Sequence, residues 1–158
     1  MNALKVSLEK KNECLVLRLD GSIGEDAFLE KIKVGNEKDI IIDVGAVESI
    51  NSCGSRDWVR WIKGVNPSAN IRFINCNSIF LDYVNMIEGF IPPNGSIESF
   101  NVPYYCESCI SITLKMFEAK SVKANINEVH EVSACNKCGK GAEIDVVLPS
   151  FFNFLKRK

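Results

Sequence analysis

The sequence has little histidine, no strong excess of either charge and no long apolar run. Its only histidine is His130, and no Ser/His/Asp set, paired-carboxylate pattern or glycine-rich phosphate loop is evident, so we do not expect an enzyme. The formal net charge of −1 argues against a broadly basic nucleic-acid-binding surface. No apolar stretch approaches the roughly 20 residues of a membrane-spanning helix. The N-terminus also lacks the apolar core of a signal peptide, so we expect the protein to remain in the cytoplasm.

Cysteine is the most informative residue type that the sequence does contain. Three of the seven cysteines are isolated, and the other four form the pairs CESC and CNKC, separated by 25 residues. The paired residues are Cys106, Cys109, Cys135 and Cys138. A tight CxxC turn can present two sulfurs to one ion, and four thiolates complete the tetrahedral shell that Zn²⁺ prefers. We therefore predict a structural Zn²⁺ rather than a catalytic one, because four cysteines leave no position for water.

Disulfides, a redox-active cysteine pair and an iron–sulfur cluster are the alternatives for these cysteines. An odd number of cysteines without an export signal disfavours a disulfide framework. A thioredoxin-type pair needs only one CxxC motif, and iron–sulfur clusters usually have other spacings. His130 precedes the second pair closely in the sequence, but with four thiolates available it is not needed as a ligand.

Hydrophobic patterning divides the chain into two domains, which we place at residues 1–101 and 102–158. The first has strands expected at 5–8, 14–19, 39–44, 71–74 and 97–100 and helices expected at 27–33, 52–65 and 79–87. This order predicts an α/β fold whose sheet of four to five strands carries helices mainly on one face. The second has β-like stretches at 111–117, 127–132 and 143–148, which predict a small β zinc ribbon followed by a short C-terminal helix.

A strand–loop–helix junction, IIIDVGAVESINSCG, contains the second candidate site. Asn51 and Ser52 stand where the helix is expected to begin, and either residue type is a normal N-cap. The first-turn amides are unpaired there and the helix dipole is positive, so a phosphate on Ser52 would also be accepted, with Arg56 one turn along. On these residues alone, an ordinary cap and a phosphorylation site both remain open.

From the Asp20-Gly21 turn through Asn51-Ser52-Cys53-Gly54, the sequence resembles the STAS domain, named for sulphate transporters and anti-sigma factor antagonists. The resemblance covers residues 5–100 and implies a sheet of four or five strands with helices packed on one face. It also implies a non-enzymatic role in bacterial signalling. There the domain binds a serine-kinase anti-sigma factor or a similar partner, and phosphorylation of the motif serine breaks that contact. Ser52 matches that serine, and Asn51 stands where the family often has aspartate.

The outer face of the helix expected at 52–65 is the surface on which we expect a protein partner. Its candidate residues, besides Ser52, are Asn51, Ser55, Arg56, Asp57, Arg60 and Lys63. An alternative is nucleic-acid binding through the ribbon, which is weakened because its lysines are interleaved with glutamates. A second alternative is a STAS-like domain that senses a small ligand or nucleotide.

Overall fold

Alternating apolar residues in the first hundred positions build a five-stranded sheet. In the computed structural model, which describes residues 2–157, its strands are β1 (Lys5–Lys11), β2 (Cys14–Ile23), β3 (Asp39–Ile50), β4 (Asn70–Ile74) and β5 (Gly95–Ile97). They lie side by side in sequence order; β1 is antiparallel to β2, and the other neighbours are parallel. Met1 and Lys158, the outer limits of the two predicted domains, lie outside the described residues.

Two helices, α1 (Ser52–Lys63) and α2 (Ser78–Met86), cover one face of this sheet. Successive side chains of a strand point to opposite faces, and on β3 the side chains of Ile40, Ile42 and Val44 are fully buried toward the helices. The residues between them are only partly buried on the other face. The predicted fold class, an α/β sheet with helices mainly on one face, is confirmed.

The core between the sheet and the helices is centred on Trp58 of α1. Its ring is fully buried and lies 5.5 Å from Phe80 of α2, 5.6 Å from Phe90 and 6.3 Å from Phe73 of β4, measured between ring centroids. The indole Nε1–H donates a hydrogen bond of 2.9 Å to the Phe90 carbonyl, so its one polar atom is satisfied. These contacts fix α1 and α2 side by side.

Two predicted elements of the first sheet region are wrong in detail. The helix expected at 27–33 is a pair of 3-10 turns, Glu25–Ala27 and Leu29–Lys31. Phe28 between them has a φ of 46°, and a left-handed residue cannot continue a right-handed helix. The strand expected at 97–100 is split, because β5 ends at Ile97 and the chain enters a second sheet at Ser99.

The second sheet contains four antiparallel strands in the order β7-β6-β9-β8. They are β6 (Ser99–Cys106), β7 (Ser111–Glu118), β8 (Val132–Ala134) and β9 (Gly141–Ile144). β6 therefore runs through residues 101 and 102, where we placed the domain boundary. Two short helices, α3 (Ala119–Ala124) and α4 (Leu148–Phe151), and a final 3-10 turn, Phe152–Lys156, complete this part.

Three local expectations for the ribbon need correction. The stretch expected as a strand at 127–132 begins with a 3-10 turn, Ile126–Glu128. The strand expected at 143–148 ends at Ile144, and α3 was not expected at all. Within residues 2–157, no helix has the length and apolar character needed to cross a membrane.

Phe100, near the start of β6, joins the two sheets into one continuous core. Its ring lies 5.0 Å from Phe154 and 6.3 Å from Phe151, and its backbone pairs with Cys76, which follows β4. Asn85 of α2 adds polar contacts, because its side-chain amide donates to the carbonyl of Phe151 at 3.0 Å. The cysteine-bearing sheet is thus packed against the first one.

Candidate functional site

The sulfur atoms of Cys106, Cys109, Cys135 and Cys138 all lie within 4.8 Å of one another. Two of the Sγ–Sγ distances, Cys106 to Cys138 and Cys109 to Cys135, are 3.6 Å. A tetrahedral ion with Zn–S bonds of about 2.3 Å separates its sulfurs by about 3.8 Å, so this spacing fits one shared cation. All four cysteines are free rather than bonded in disulfides. The cysteines can therefore bind a metal ion, as their spacing in the sequence indicated.

The backbone of each CxxC segment explains how the sulfurs converge. Cys106 is the last residue of β6 and Cys109 lies in the turn that follows it, whereas the other pair lies between β8 and β9. In the second turn the amide of Cys135 donates to the Lys140 carbonyl at 2.8 Å, and the amide of Gly139 donates to the Cys135 carbonyl at 2.9 Å. Gly139 has a φ of 73°, the left-handed conformation that glycine adopts readily.

The first CxxC turn adopts the same left-handed conformation after its second cysteine, but the residue there is not glycine. Ile110 follows Cys109 as Gly139 follows Cys138, and it too is left-handed, with a φ of 50°. A β-branched residue rarely adopts this conformation. The Ile110 side chain is 79% exposed, so packing within residues 2–157 does not account for its being there. The two halves of the cluster therefore share a backbone shape that the sequence signals clearly only in the second half.

Two hydroxyl groups lie beside the sulfurs and were not anticipated from the sequence. The Ser111 Oγ lies 2.9 Å from the Cys109 Sγ, and the Thr113 hydroxyl donates to the Cys135 Sγ at 3.9 Å. Thr113 also accepts a hydrogen bond from the amide of Asn136 at 3.2 Å. A signal was present: Ser111 and Thr113 alternate along the strand that leaves the first CxxC pair, so both lie on one face of it, and both contact the Cys135 sulfur.

The protonation of the thiols also suits a cation site. Backbone N–H groups of Cys138 and Lys137 lower the pKa of Cys135 to about 5. The pKa of Cys138 is raised to about 11: the backbone amide of Lys140 lowers it, but desolvation and the three neighbouring thiols outweigh that amide. Closely spaced thiolates repel one another, so protons divide unevenly among them, and a divalent cation would remove that repulsion.

His130 is not part of the cluster that the described residues form. Its side chain is exposed, and its backbone carbonyl accepts a hydrogen bond of 2.7 Å from the buried Tyr104 hydroxyl. The position of His130 is thus used for packing the ribbon.

The start of α1, the second candidate site, is pressed against the end of β2. The Asn51 side-chain oxygen accepts a hydrogen bond from the Gly54 backbone amide at 2.8 Å. The Asn51 backbone amide donates to the Ile23 carbonyl at 3.2 Å. A Cβ on Gly54 would lie 2.0 Å from the same Ile23 oxygen, so only glycine permits this approach. Asn51 is the N-cap, and Ser52 is the first helical residue, with an exposed side chain.

The predicted partner surface is exposed along most of its length. Arg56, Arg60 and Lys63 form an exposed basic stripe with Ser52 at its beginning, because the four lie about one turn apart. Asp57 crosses the stripe and accepts hydrogen bonds from Arg56 at 3.2 Å and from Arg60 at 3.4 Å. We refer to Ser52, Arg56, Arg60 and Lys63 as the α1 stripe.

Ser55 does not belong to this surface, contrary to our expectation. It is only 6% exposed, and its hydroxyl donates to the Ser52 carbonyl at 3.0 Å. Helical spacing alone would leave Ser55 near Ser52, but the neighbouring Gly54 approaches the end of β2 so closely that Ser55 is covered.

A cleft of about 460 Å³ borders the α1 stripe. It lies between α1 and the segment around Ile32, and its walls include Asp57, Arg60 and Trp61. The α1 stripe and the cleft share Arg60, so a molecule bound at that residue lies at the edge of the cleft.

A second helix start repeats the Asn-Ser arrangement, which the sequence analysis did not single out. Asn77 caps α2 by accepting from the Phe80 amide at 3.0 Å, and Ser78 follows it as Ser52 follows Asn51. The side-chain nitrogen of Asn77 also donates to the backbone carbonyls of Gly45 and Val47, at 3.3 and 2.7 Å. Ser78 is only partly exposed. Of these two similar starts, the one on α1 is the accessible one.

No protein-family model and no curated protein sequence matches this chain. Among solved structures, the chain is similar to the crystal structure of an anti-sigma factor antagonist from Mycobacterium paratuberculosis. The two share 12% sequence identity with a TM-score of 0.46, over 53% of this chain and 77% of that one.

Proposed function

We propose that this chain is a non-enzymatic regulatory protein of the STAS type, which binds a protein partner through the α1 stripe. The observation that carries this proposal is the exposure of Ser52 at the head of a basic helix face that no other residue in 2–157 covers. Nothing in the packing of the first sheet requires three cations on this face. A basic surface next to a cleft suits a partner with an acidic docking surface.

Phosphorylation of Ser52 would act as the switch. Transfer of the γ-phosphoryl group of ATP to the Ser52 Oγ releases ADP and adds close to two negative charges at the head of the stripe. The phosphate would be stabilised by the first-turn amides and by Arg56 one turn along, so α1 itself would stay folded. An acidic partner would lose attraction to Arg60 and Lys63 and would be repelled by the phosphate. A serine-kinase anti-sigma factor, the partner class that the sequence resemblance implies, could both bind this surface and modify it.

The four cysteines, on this proposal, hold a structural Zn²⁺. Thiolates are soft ligands, and four of them fill a tetrahedral shell with no position left for a reacting water. The ion would stabilise the turns that join β6 to β7 and β8 to β9. The ion would stabilise the folded ribbon, whereas the protein partner would bind to α1.

The proposal is tested by binding assays that compare three versions of the chain. Wild type, Ser52→Glu and Ser78→Glu are used as baits in extract from the native cell, the bound proteins are identified by mass spectrometry, and Ser52 is examined for phosphate. Ser78→Glu is the matched control, because it places the same charge at the same position of the other Asn-capped helix. We expect a signalling partner that binds wild type and Ser78→Glu and is lost from Ser52→Glu.

Two charge reversals locate the contact on α1. Arg60→Glu should weaken binding of the recovered partner by at least about tenfold, since it places like charges against each other across the interface, which costs several kcal/mol. Lys123→Glu on α3 makes the same change on an exposed site of the other sheet region and should bind normally. Equal binding by Arg60→Glu and wild type would exclude the α1 stripe.

A further inference from the structure

The second sheet has one face that packs into the core and one face that stays apolar and exposed. Along β7, the side chains of Ile112, Leu114 and Met116 are 59%, 55% and 60% exposed. Thr113 between them is buried on the opposite face, as the alternation of a strand requires. The three apolar side chains thus form a row along one face of an edge strand.

The strand register extends this row across the sheet. Residues directly opposite one another in an antiparallel pair share a face, and Ile112 lies opposite Tyr105 of β6. Tyr105 is opposite Glu143 of β9, which in turn is opposite Val132 of β8. Tyr105 is 38% exposed and Val132 is 57% exposed. Ile110, in the β6–β7 turn beside this row, is 79% exposed.

We call this surface the ribbon face and define it by its exposed apolar residues. They are Tyr105, Ile110, Ile112, Leu114, Met116 and Val132. Their exposed fractions correspond to about 600 Å² of accessible surface, at the upper end of the roughly 300–600 Å² of the largest apolar patch on a typical monomer. No other described residue covers these six side chains, whereas Pro103, which lies opposite Leu114, is buried. Glu143 is exposed and is the one charged side chain that the register places within this row, between Tyr105 and Val132.

The size and chemistry of the ribbon face select its occupant. A stable standard-size interface takes about 800 Å² from each partner, and interfaces between identical subunits are more apolar than other interfaces. A face of about 600 Å² with Glu143 as its one charged side chain offers an acidic or basic partner little to recognise, whereas a second copy offers the same apolar surface. Two sheets that pack face to face form a two-layer sandwich, which is a common way to bury such surfaces.

We propose that the chain forms a twofold symmetric homodimer in which the ribbon faces of two copies pack against each other. This inference is separate from the partner site on α1, because the two surfaces have no residue in common. The dimer would present two α1 stripes at once.

The test is sedimentation velocity of the zinc-loaded full chain over a wide range of concentrations. Wild type should sediment as a dimer. Leu114→Lys should be monomeric, with a dissociation constant raised at least about a hundredfold, because each copy would bury a lysine in an apolar interface. Ile112→Lys, in the same row, should behave in the same way.

Met86→Lys is the matched control, because Met86 is an exposed apolar residue of α2, 68% exposed and outside the ribbon face. It should dimerise like wild type. Since Leu114 is more than half exposed within one chain, Leu114→Lys should keep wild-type zinc content and circular dichroism. A wild-type protein that is monomeric throughout would overturn the proposal, as would folded Leu114→Lys and Ile112→Lys proteins that dimerise normally.

Discussion

The two sheet regions of this molecule are stabilised in different ways. The core of the first is made of large rings and branched side chains centred on Trp58, with both helices in contact. The second has comparable ring packing only around Phe100, and at its far end the buried residues include Cys106 and Cys135. If the cysteines bind Zn²⁺ as proposed, this thin end of the sheet would gain its stability from ligand bonds. The four predictions below test this difference, beginning with the largest effect.

Loss of the metal ion should unfold the distal end of the second sheet and leave the first sheet intact. Cys138→Ser is the most informative substitution, because Cys138 is exposed and its removal costs little packing. Structural zinc sites contribute about 10 kcal/mol or more to folding, which is more than such a short ribbon can lose. Amide NMR spectra should show collapse of signals from β8 and β9, with β2 and β3 unchanged.

Cys53→Ser provides the control for this prediction, because Cys53 is an isolated, partly exposed cysteine outside the cluster. It should bind one zinc ion per chain and keep all of its signals. Ribbon signals that survive in Cys138→Ser, or in wild type treated with a strong chelator, would contradict a structural role for the ion.

Trp58→Ala should destabilise the first sheet region by about 3–5 kcal/mol, the usual cost of removing a large buried ring. The substitution also leaves the Phe90 carbonyl without its donor. Urea denaturation followed by circular dichroism measures the loss. Trp61→Ala should cost less, since Trp61 is only partly buried. An equal loss for the two tryptophans would mean that the core is not centred on Trp58.

Gly54→Ala and Gly139→Ala should differ, because the two glycines are required for different reasons. At Gly54 a Cβ meets the Ile23 oxygen at 2.0 Å, so the start of α1 must move, and we expect a loss of about 3 kcal/mol despite the better helix propensity of alanine. At Gly139 nothing lies within 4 Å, and only the left-handed backbone opposes alanine. That costs about 1 kcal/mol, which a chelator competition assay would detect as weaker zinc binding. The reverse order of effects would contradict this distinction.

Asn77→Ala should cost about 2 kcal/mol and Asn51→Ala about 1 kcal/mol, because both remove a helix cap but only Asn77 also donates to two carbonyls of β3. Thermal melting of both variants, with Asn36→Ala as an exposed loop control, gives the comparison. If Asn51→Ala lowered the stability more than Asn77→Ala, the start of α1 would contribute more to the stability of the fold than the start of α2, contrary to this prediction.

The parts of the fold that the sequence predicted are those set by side-chain periodicity. Ile40 and Ile42 alternate on β3, and Trp58 and Ile62 recur at helical spacing on α1, so burial and local pattern agree. The metal cluster was predictable because the CxxC spacing itself restricts the geometry. Sequence reasoning failed where the deciding factor was a backbone angle or a distant contact. Phe28 gives no outward sign of a left-handed φ, and nothing local marks Glu98 as the residue between two sheets.

The candidate surface on α1 is a second case in which a tertiary contact decides what the sequence pattern cannot show. The sequence placed six residues beside Ser52 on one exposed face, and helical periodicity alone would admit Ser55 at its margin. Its burial depends on the close approach of Gly54 to β2, which is a tertiary contact. The same holds for Asn77, whose two bonds to β3 make a seemingly identical helix start structural.

The contacts of residues 151–157 have a consequence for the order of folding. Phe151 and Phe154 pack on Phe100, and the Arg157 guanidinium donates to the carbonyl of Asn85 at 3.0 Å. These residues leave the ribosome after every segment that they touch, although domains otherwise tend to fold from the N-terminus onward. During synthesis the flank of α2 and the phenylalanine on β6 therefore stay uncovered until residues 151–157 have been made. Emergence of that segment, rather than collapse of the first sheet, is then the step that joins the two sheets into one core.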